Sequence, residues 1–236
     1  RRGAMKISII VPVYNEARTI GEARRQIHAV DLGAWDKEII AVDDGSNDDS
    51  KREAQSAEQH LKAQNITILS HEVNRGKGAA IRTGLAVAGG DAVVIQDADL
   101  EYDPRDIPSM LDAFERAGKR AVIYGSRELT PERRGYTHYV WGVRVLTGIA
   151  NILFGSRLTD IYTGFKLFPT PLIRSLRLGA AGFEFEAEVT AKLLRRGIGI
   201  REVPVHYFPR SFAEGKKIRV RDGVVGLWML LKCRVI

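Results

Sequence analysis

The sequence predicts an α/β fold with a mainly parallel central sheet and helices on both faces. Two observations carry this. Short runs rich in Val and Ile recur through the first half and alternate with stretches of helical spacing, as strands buried on both faces do. Acidic and polar residues gather directly after those runs, where open α/β sheets bind their ligands. With 236 residues, 44% of them hydrophobic, the chain can bury a sizeable core.

In chain order, Ile7-Ser-Ile-Ile-Val-Pro-Val13 reads as a buried strand and Thr19 to Val30 as a helix. Glu38 to Asp43 is a second strand, followed by a polar helix from Asp49 to Gln64. Ile66–His71, Ala92–Gln96 and Ala121–Tyr124 are further strands, with a helix from Lys77 to Ala88 opened by glycine. The second half is less regular. It predicts a helix over Tyr139–Phe154, a strand over Thr163–Phe168, a helix over Phe185–Arg195 and a strand over Ile200–Val205. An amphipathic helix over Arg221–Cys233 closes the chain.

No Ser/Pro/Gly-rich linker divides these elements, so residues 5–218 read as one domain and 219–236 as a basic C-terminal helix. Residues 1–4 read as an appended remnant ahead of a start at Met5. No apolar run approaches the ~18–20 residues of a membrane-spanning helix, and no signal peptide is visible. A lone cysteine, Cys233, excludes an intramolecular disulfide framework and points to a reducing, cytoplasmic compartment. The net charge of +7 is unevenly placed: Arg1, Arg2 and residues 201–236 supply it, while residues 3–200 balance 26 basic against 26 acidic side chains. A neutral body argues against a nucleic-acid face, which clusters Lys and Arg.

Four strand ends carry the chemistry: Pro12-Val-Tyr-Asn-Glu16, Asp43-Asp-Gly-Ser-Asn47, Asp97-Ala-Asp-Leu-Glu101 and Gly125-Ser-Arg127. Each alone is an ordinary turn or helix cap. Together they set several acids at one sheet edge, where they repel each other without a cation or donors. Asp97, Asp99 and Glu101 are spaced to share one side of an extended segment, and a hard divalent ion takes such oxygen ligands.

Val-Pro-Val-Tyr-Asn-Glu (11–16), Val-Asp-Asp-Gly-Ser (42–46), Asn-Arg-Gly-Lys-Gly (74–78) and Asp-Ala-Asp-Leu-Glu (97–101) resemble family 2 glycosyltransferases. Gly-Ser-Arg (125–127) and Thr-Asp-Ile-Tyr-Thr-Gly-Phe-Lys (159–166) narrow the resemblance to the dolichyl-phosphate mannose synthase-like branch. It implies a GT-A fold, with a Rossmann-like sheet, and an inverting transfer of a hexose from a nucleotide-diphosphate sugar to a polyprenyl (dolichyl or undecaprenyl) phosphate. GDP-mannose and UDP-glucose donors are both compatible.

By the same resemblance, Pro12, Tyr14 and Glu16 line the base and ribose pocket, Asp44 accepts from the base, and Asp97 with Ala98 lies by the nucleotide. Asp97, Asp99 and Glu101 hold Mg²⁺ or Mn²⁺ against the diphosphate, although Glu101 stands where the mannose synthases carry Gln. Lys77 is either part of the phosphate pocket or an ordinary lysine at a helix start. Arg127 and Arg144 are the candidates to orient an acceptor phosphate, with a surface ion pair as the alternative for each. Arg210 and Lys216 match a loop that closes over the donor phosphates. Asp160 is a base, a sugar-hydroxyl acceptor or a turn cap, and Glu186 is a weaker candidate for sugar contact. Asp99, Arg127 and Asp160 are thereby assigned to the chemical step.

The C-terminal helix joins Lys216, Lys217, Arg219 and Arg221 to an apolar stretch from Val224 to Leu231. It either lies on the cytoplasmic face of an anionic membrane, where a polyprenyl acceptor is anchored, or packs on the core with a solvated basic face.

Overall fold

Seven strands form one sheet in the order β3-β2-β1-β4-β6-β5-β7. The computed structural model describes residues 4–61, 65–130, 137–210 and 220–235. The strands are β1 (Met5–Val13), β2 (Trp35–Asp43), β3 (Ile66–Ser70), β4 (Ala92–Ile95), β5 (Val122–Ser126), β6 (Lys166–Pro169) and β7 (Ile200–Pro204). The helices are α1 (Ile20–Ala29), α2 (Ser50–Leu61), α3 (Lys77–Val87), α4 (Ile107–Arg116), α5 (Thr137–Phe154), α6 (Thr170–Ser175), α7 (Phe185–Arg195) and α8 (Val220–Val235).

Alternation along the strands sorts side chains into two cores. Ile7, Ile9 and Val11 of β1, with Ala92 and Val94 of β4, pack with α1 and α4 on one face. Ile10, Val93 and Ile95 pack with α3 and α7 on the other. Each Val or Ile among them contributes roughly 1.5–3 kcal/mol on burial. The expected two-faced α/β architecture is present, with one departure. β6 runs antiparallel to both β4 and β5, while the other pairings are parallel. Its Lys166, Leu167 and Phe168 are buried, and the strand inserts between two others.

Two helices lie outside the sequence-based expectations. α4 buries Ile107, Met110, Leu111 and Phe114 at helical spacing behind a short 3-10 turn, Pro104–Asp106. Its prolines look like breakers, but proline fits a first helical turn, where its missing N–H is not needed. α6 is a single short stretch with Pro171 in its first turn. The other elements fall where expected to within a few residues; the predicted end of α2 at Gln64 lies outside the described residues.

The loops after β1 and β2 are knitted together. Asn15, at φ +49°, donates its N–H to Ser46 Oγ at 3.0 Å and accepts from the Asn47 N–H at 2.9 Å. Glu16 N–H reaches Ser50 Oγ at 2.6 Å, and Ala17 N–H reaches Asp48 at 3.2 Å. Asp48 also accepts from the Ser50 N–H at the start of α2, a helix cap. α8 closes the opposite face. It buries Met229, Leu230 and Cys233, and Gly226 permits its close approach to the Tyr162 hydroxyl.

Gly45 is pinned twice: φ is +69°, and an added Cβ would lie 2.5 Å from the Val73 carbonyl carbon. Gly45→Ala is expected to cost about 2 kcal/mol or more, from backbone strain plus overpacking. A urea unfolding midpoint shifted accordingly checks it.

Candidate active site

Asp97 and Asp99 follow β4, but the segment is a turn rather than an extended run. Leu100 takes φ +62°, and Glu101 N–H folds back to Asp99 Oδ1 at 3.0 Å. Glu101 is thereby turned to the segment after β7, accepting from the Tyr207 hydroxyl at 2.9 Å and the Arg210 backbone N–H at 2.7 Å. Asp99 nevertheless stays within electrostatic reach of both Asp97 and Glu101. Among the described residues, no group of three or more His, Cys, Asp or Glu is arranged to hold a metal.

Internal cations face the crowded acids. Arg210 forks onto Glu16 at 2.8 and 3.0 Å and reaches Asp99 at 3.2 Å. Lys77, at the start of α3, lies 2.8 Å from Asp97 Oδ1 and 3.3 Å from Glu186. Burial, then the charges of Asp97 and Glu101, push the Asp99 carboxyl up to about 7 against the pull of Arg210. Desolvation opposes the Lys77 charge, but Asp97 and Glu186 outweigh it and raise its pKa. Glu16, Asp99, Lys77, Asp97 and Arg210 therefore meet in one network. Lys216 lies outside the described residues.

Asp44 lies just past the end of β2, beside the turn that leads into α3. It is 2% exposed and accepts from the N–H groups of Arg75 and Gly76 at 2.9 and 2.7 Å. His71 Nδ1 sits 2.6 Å away, and its Nε2 lies 2.9 Å from Thr83 Oγ1. The carboxylate thus anchors the Asn-Arg-Gly-Lys-Gly turn that presents Lys77. Pro12 and Tyr14 are half-buried at the end of β1, and Ala98 is buried.

A second ion pair stands at the ends of β5 and the loop before β6. Arg127 donates from Nε and Nη2 to Asp160 at 2.6 and 2.8 Å. Burial alone would raise the Asp160 carboxyl, but the charge and hydrogen bonds of Arg127 hold it below the ordinary range. Glu202 of β7 accepts the N–H groups of Thr159 and Asp160 at 2.8–3.0 Å, fixing that loop from below. Arg127 lies over the Tyr207 ring at 5.1 Å, and Tyr102 packs on Tyr207 at 5.1 Å. The Tyr102 hydroxyl accepts from the Gly164 N–H at 3.1 Å. Arg144 is not drawn into this set. It pairs with Glu128 at 3.1 Å.

Tyr102, Tyr207, Glu202 and Lys166 were not singled out by sequence. Tyr102 directly follows the acidic motif and Lys166 ends the Thr-Gly-Phe-Lys run, so adjacency was the available signal for those two. Tyr207 and Glu202 arrive from distant chain and left none.

The family model described as Glycosyl transferase family 2 matches residues 8–177. The chain belongs to that family. An undecaprenyl-phosphate mannosyltransferase of Micrococcus luteus is 27% identical over 236 residues, covering 94% of this chain and 90% of its own. An undecaprenyl-phosphate 4-deoxy-4-formamido-L-arabinose transferase of Salmonella paratyphi A is 28% identical, over 89% of this chain and 62% of its own. A low-salt glycan biosynthesis hexosyltransferase of Haloferax volcanii is 26% identical, over 88% of this chain and 49% of its own. The chain thus spans 49% to 62% of the length of these latter two relatives. Glucosyl-3-phosphoglycerate synthase from Mycobacterium tuberculosis, solved with phosphoglyceric acid, shares the fold at a TM-score of 0.75 and 23% identity, over 98% of this chain and 81% of its own. A complex of the same synthase with Mn²⁺, UDP and glucosyl-3-phosphoglycerate superposes at 0.73 with 21% identity. The family 2 sheet is therefore the GT-A sheet that the motifs implied.

In this family 2 chain, Arg127→Met strands the Asp160 carboxylate, which is 1% exposed. Removing one partner of such a buried pair costs about 3–5 kcal/mol, read from urea unfolding near neutral pH. The sign follows from the lowered Asp160 value: its stabilisation is present above the unfolded carboxylate range and is lost as pH falls through the lower folded value. The wild type is therefore expected to lose more stability than Arg127→Met when the pH is lowered below about 4.

Proposed function

We propose that this chain transfers a hexose, with inversion, from a nucleotide-diphosphate sugar to a polyprenyl phosphate. The observation that carries the reading is the pairing of two separate cation–carboxylate centres at one sheet edge. Lys77 and Arg210 bind among Asp97, Asp99 and Glu16, while Arg127 stands on Asp160. The first centre offers charge for a diphosphate and the second for another anion. The names of the bacterial relatives, both undecaprenyl-phosphate transferases, support the acceptor class.

In the proposed reaction an acceptor phosphate oxygen attacks the anomeric carbon. The bond from that carbon to the donor phosphate breaks, and the nucleoside diphosphate leaves with the electron pair. A phosphate acceptor is largely ionised near neutral pH and needs orientation more than a strong base. That suits Asp160, whose carboxylate is committed to Arg127; the fork it fixes keeps outer N–H groups for a phosphate. Lys77 and Arg210 meet the charge that accumulates on the leaving diphosphate.

The donor set fits a hard divalent cation. Asp97 and Asp99 supply carboxylate oxygens, their mutual repulsion is what a cation relieves, and phosphate oxygens complete such shells. Mg²⁺ or Mn²⁺ would be held there, supplying Lewis-acid stabilisation of the leaving group. Arg210 shares Asp99 with that site and would loosen its hold as the donor enters.

Access to a lipid acceptor follows from the surface. Val224, Trp228, Leu231 and Val235 form one exposed stripe of α8, at 66%, 56%, 46% and 85% exposure. Trp141, Val145 and Ile152 are exposed on α5, which packs beside α8. Exposed Arg221, Lys232 and Arg234 border the stripe, and the Lys232 ammonium lies over the Trp228 ring at 4.9 Å. Among the described residues no helix is long and apolar enough to cross a membrane. Such a basic, tryptophan-bearing face is suited to an anionic bilayer surface, which it would meet without spanning.

Two measurements test these readings. With a polyprenyl phosphate as sole acceptor and labelled UDP- and GDP-hexoses as donors, label is expected in the organic phase and is lost in Asp99→Ala. Transfer only to sugar hydroxyls would overturn the acceptor class. Trp141→Ser with Trp228→Ser is expected to weaken co-sedimentation with phosphatidylglycerol vesicles by about tenfold, as lost apolar insertion predicts. Nucleotide binding should be unchanged in that variant.

A further inference from the structure

Lys166 is fully buried in β6, and the mechanism above makes no use of it. Its ammonium donates to the carbonyls of Ile161 and Thr163 at 3.0 and 2.6 Å and to the Glu186 carboxylate. It also lies 4.7 Å above the Tyr124 ring. Glu186, in the first turn of α7, is 3% exposed. Its other oxygen faces Lys77 at 3.3 Å, and Lys77 in turn holds Asp97. Charges therefore alternate without a break from the loop that carries Asp160 to the donor edge. Lys166, Glu186, Lys77 and Asp97 are two cations and two anions in sequence.

A buried lysine is a costly way to fill space; an apolar residue of similar volume is often as stable or better. A charge kept there is tied to what its partners do. Here the partner of Lys166 is the one carboxylate that also faces Lys77, and the carbonyls it holds belong to the turn beginning at Asp160. We propose that Glu186 and Lys166 are positioning residues: Glu186 holds the Lys77 ammonium in place for a donor diphosphate, and Lys166 ties that setting to the acceptor-side loop. The inference rests on reading the Lys77 edge as a diphosphate site. It adds residues that reach no substrate themselves.

The test is a double-mutant cycle on nucleotide binding, since coupled residues fail to add. UDP and GDP are each titrated calorimetrically in Mn²⁺ into wild type, Glu186→Gln, Lys77→Met and the double variant. Lys77→Met is expected to weaken the preferred nucleotide by about tenfold, the scale of one charge-assisted contact. Glu186→Gln should weaken it several-fold, and the double variant should bind no more weakly than Lys77→Met alone. Wild-type binding by Glu186→Gln, or losses that simply multiply, would overturn the coupling. Should Glu186→Gln fail to fold, Lys166→Met combined with Glu186→Gln removes one charge of each sign and takes its place. Weakened binding is again the expected result, and wild-type affinity again the refuting one. A wild type that binds neither nucleotide overturns the site reading and the coupling with it; binding by the wild type and Glu186→Gln alike overturns the coupling alone.

Discussion

Glu16, Asp97, Asp99 and Asp160 reach the carboxyl edge of the sheet from three stretches of chain, Asp97 and Asp99 sharing one turn, and the fold must answer their repulsion internally. Arg210 answers two of them, Lys77 a third and Arg127 the fourth. Because each cation comes from a different element than its acid, every one of these pairs is also a tie between loops. The segment after β7 is fastened to the turn after β4 by Arg210 and by Glu101. The loop before β6 is fastened to the end of β5 by Arg127. Electrostatic compensation is thus the means by which the edge acquires a defined shape.

That compensation also explains what the amino-acid sequence could and could not disclose. The parallel strands were legible because Val and Ile runs such as 7–13 and 39–42 are buried on alternating faces. The motif positions were legible because they follow those runs directly. The antiparallel direction of β6 was not, since strand direction leaves no mark in a four-residue apolar run. Nor was the turn at Leu100, whose positive φ folds the Glu101 N–H back onto Asp99. Arg210 lies 111 residues from Asp99, so no spacing rule could have joined them. Nor could spacing disclose that Asp44 accepts the backbone N–H groups of Arg75 and Gly76 in a later turn.

The fold also reconciles the two readings of the last helix. α8 is half core and half surface, with Met229, Leu230 and Cys233 inward and Trp228 and Leu231 outward. A helix of that kind has its orientation fixed by packing, so whatever meets its outer stripe meets a rigid face. The adjoining exposed residues of α5 broaden that face beyond what either helix presents alone.

The reversed direction of β6 has one further consequence. A parallel strand delivers its trailing loop to the carboxyl edge, whereas β6 delivers the loop that precedes it, residues 155–165. The turns after β1, β2 and β4 build one half of the edge; this leading loop, with the end of β5, builds the other. Insertions or exchanges within it can remodel the second half without lengthening any turn of the first. The two halves of the edge are in this way shaped by separate stretches of the chain and joined where Glu186 stands between Lys166 and Lys77.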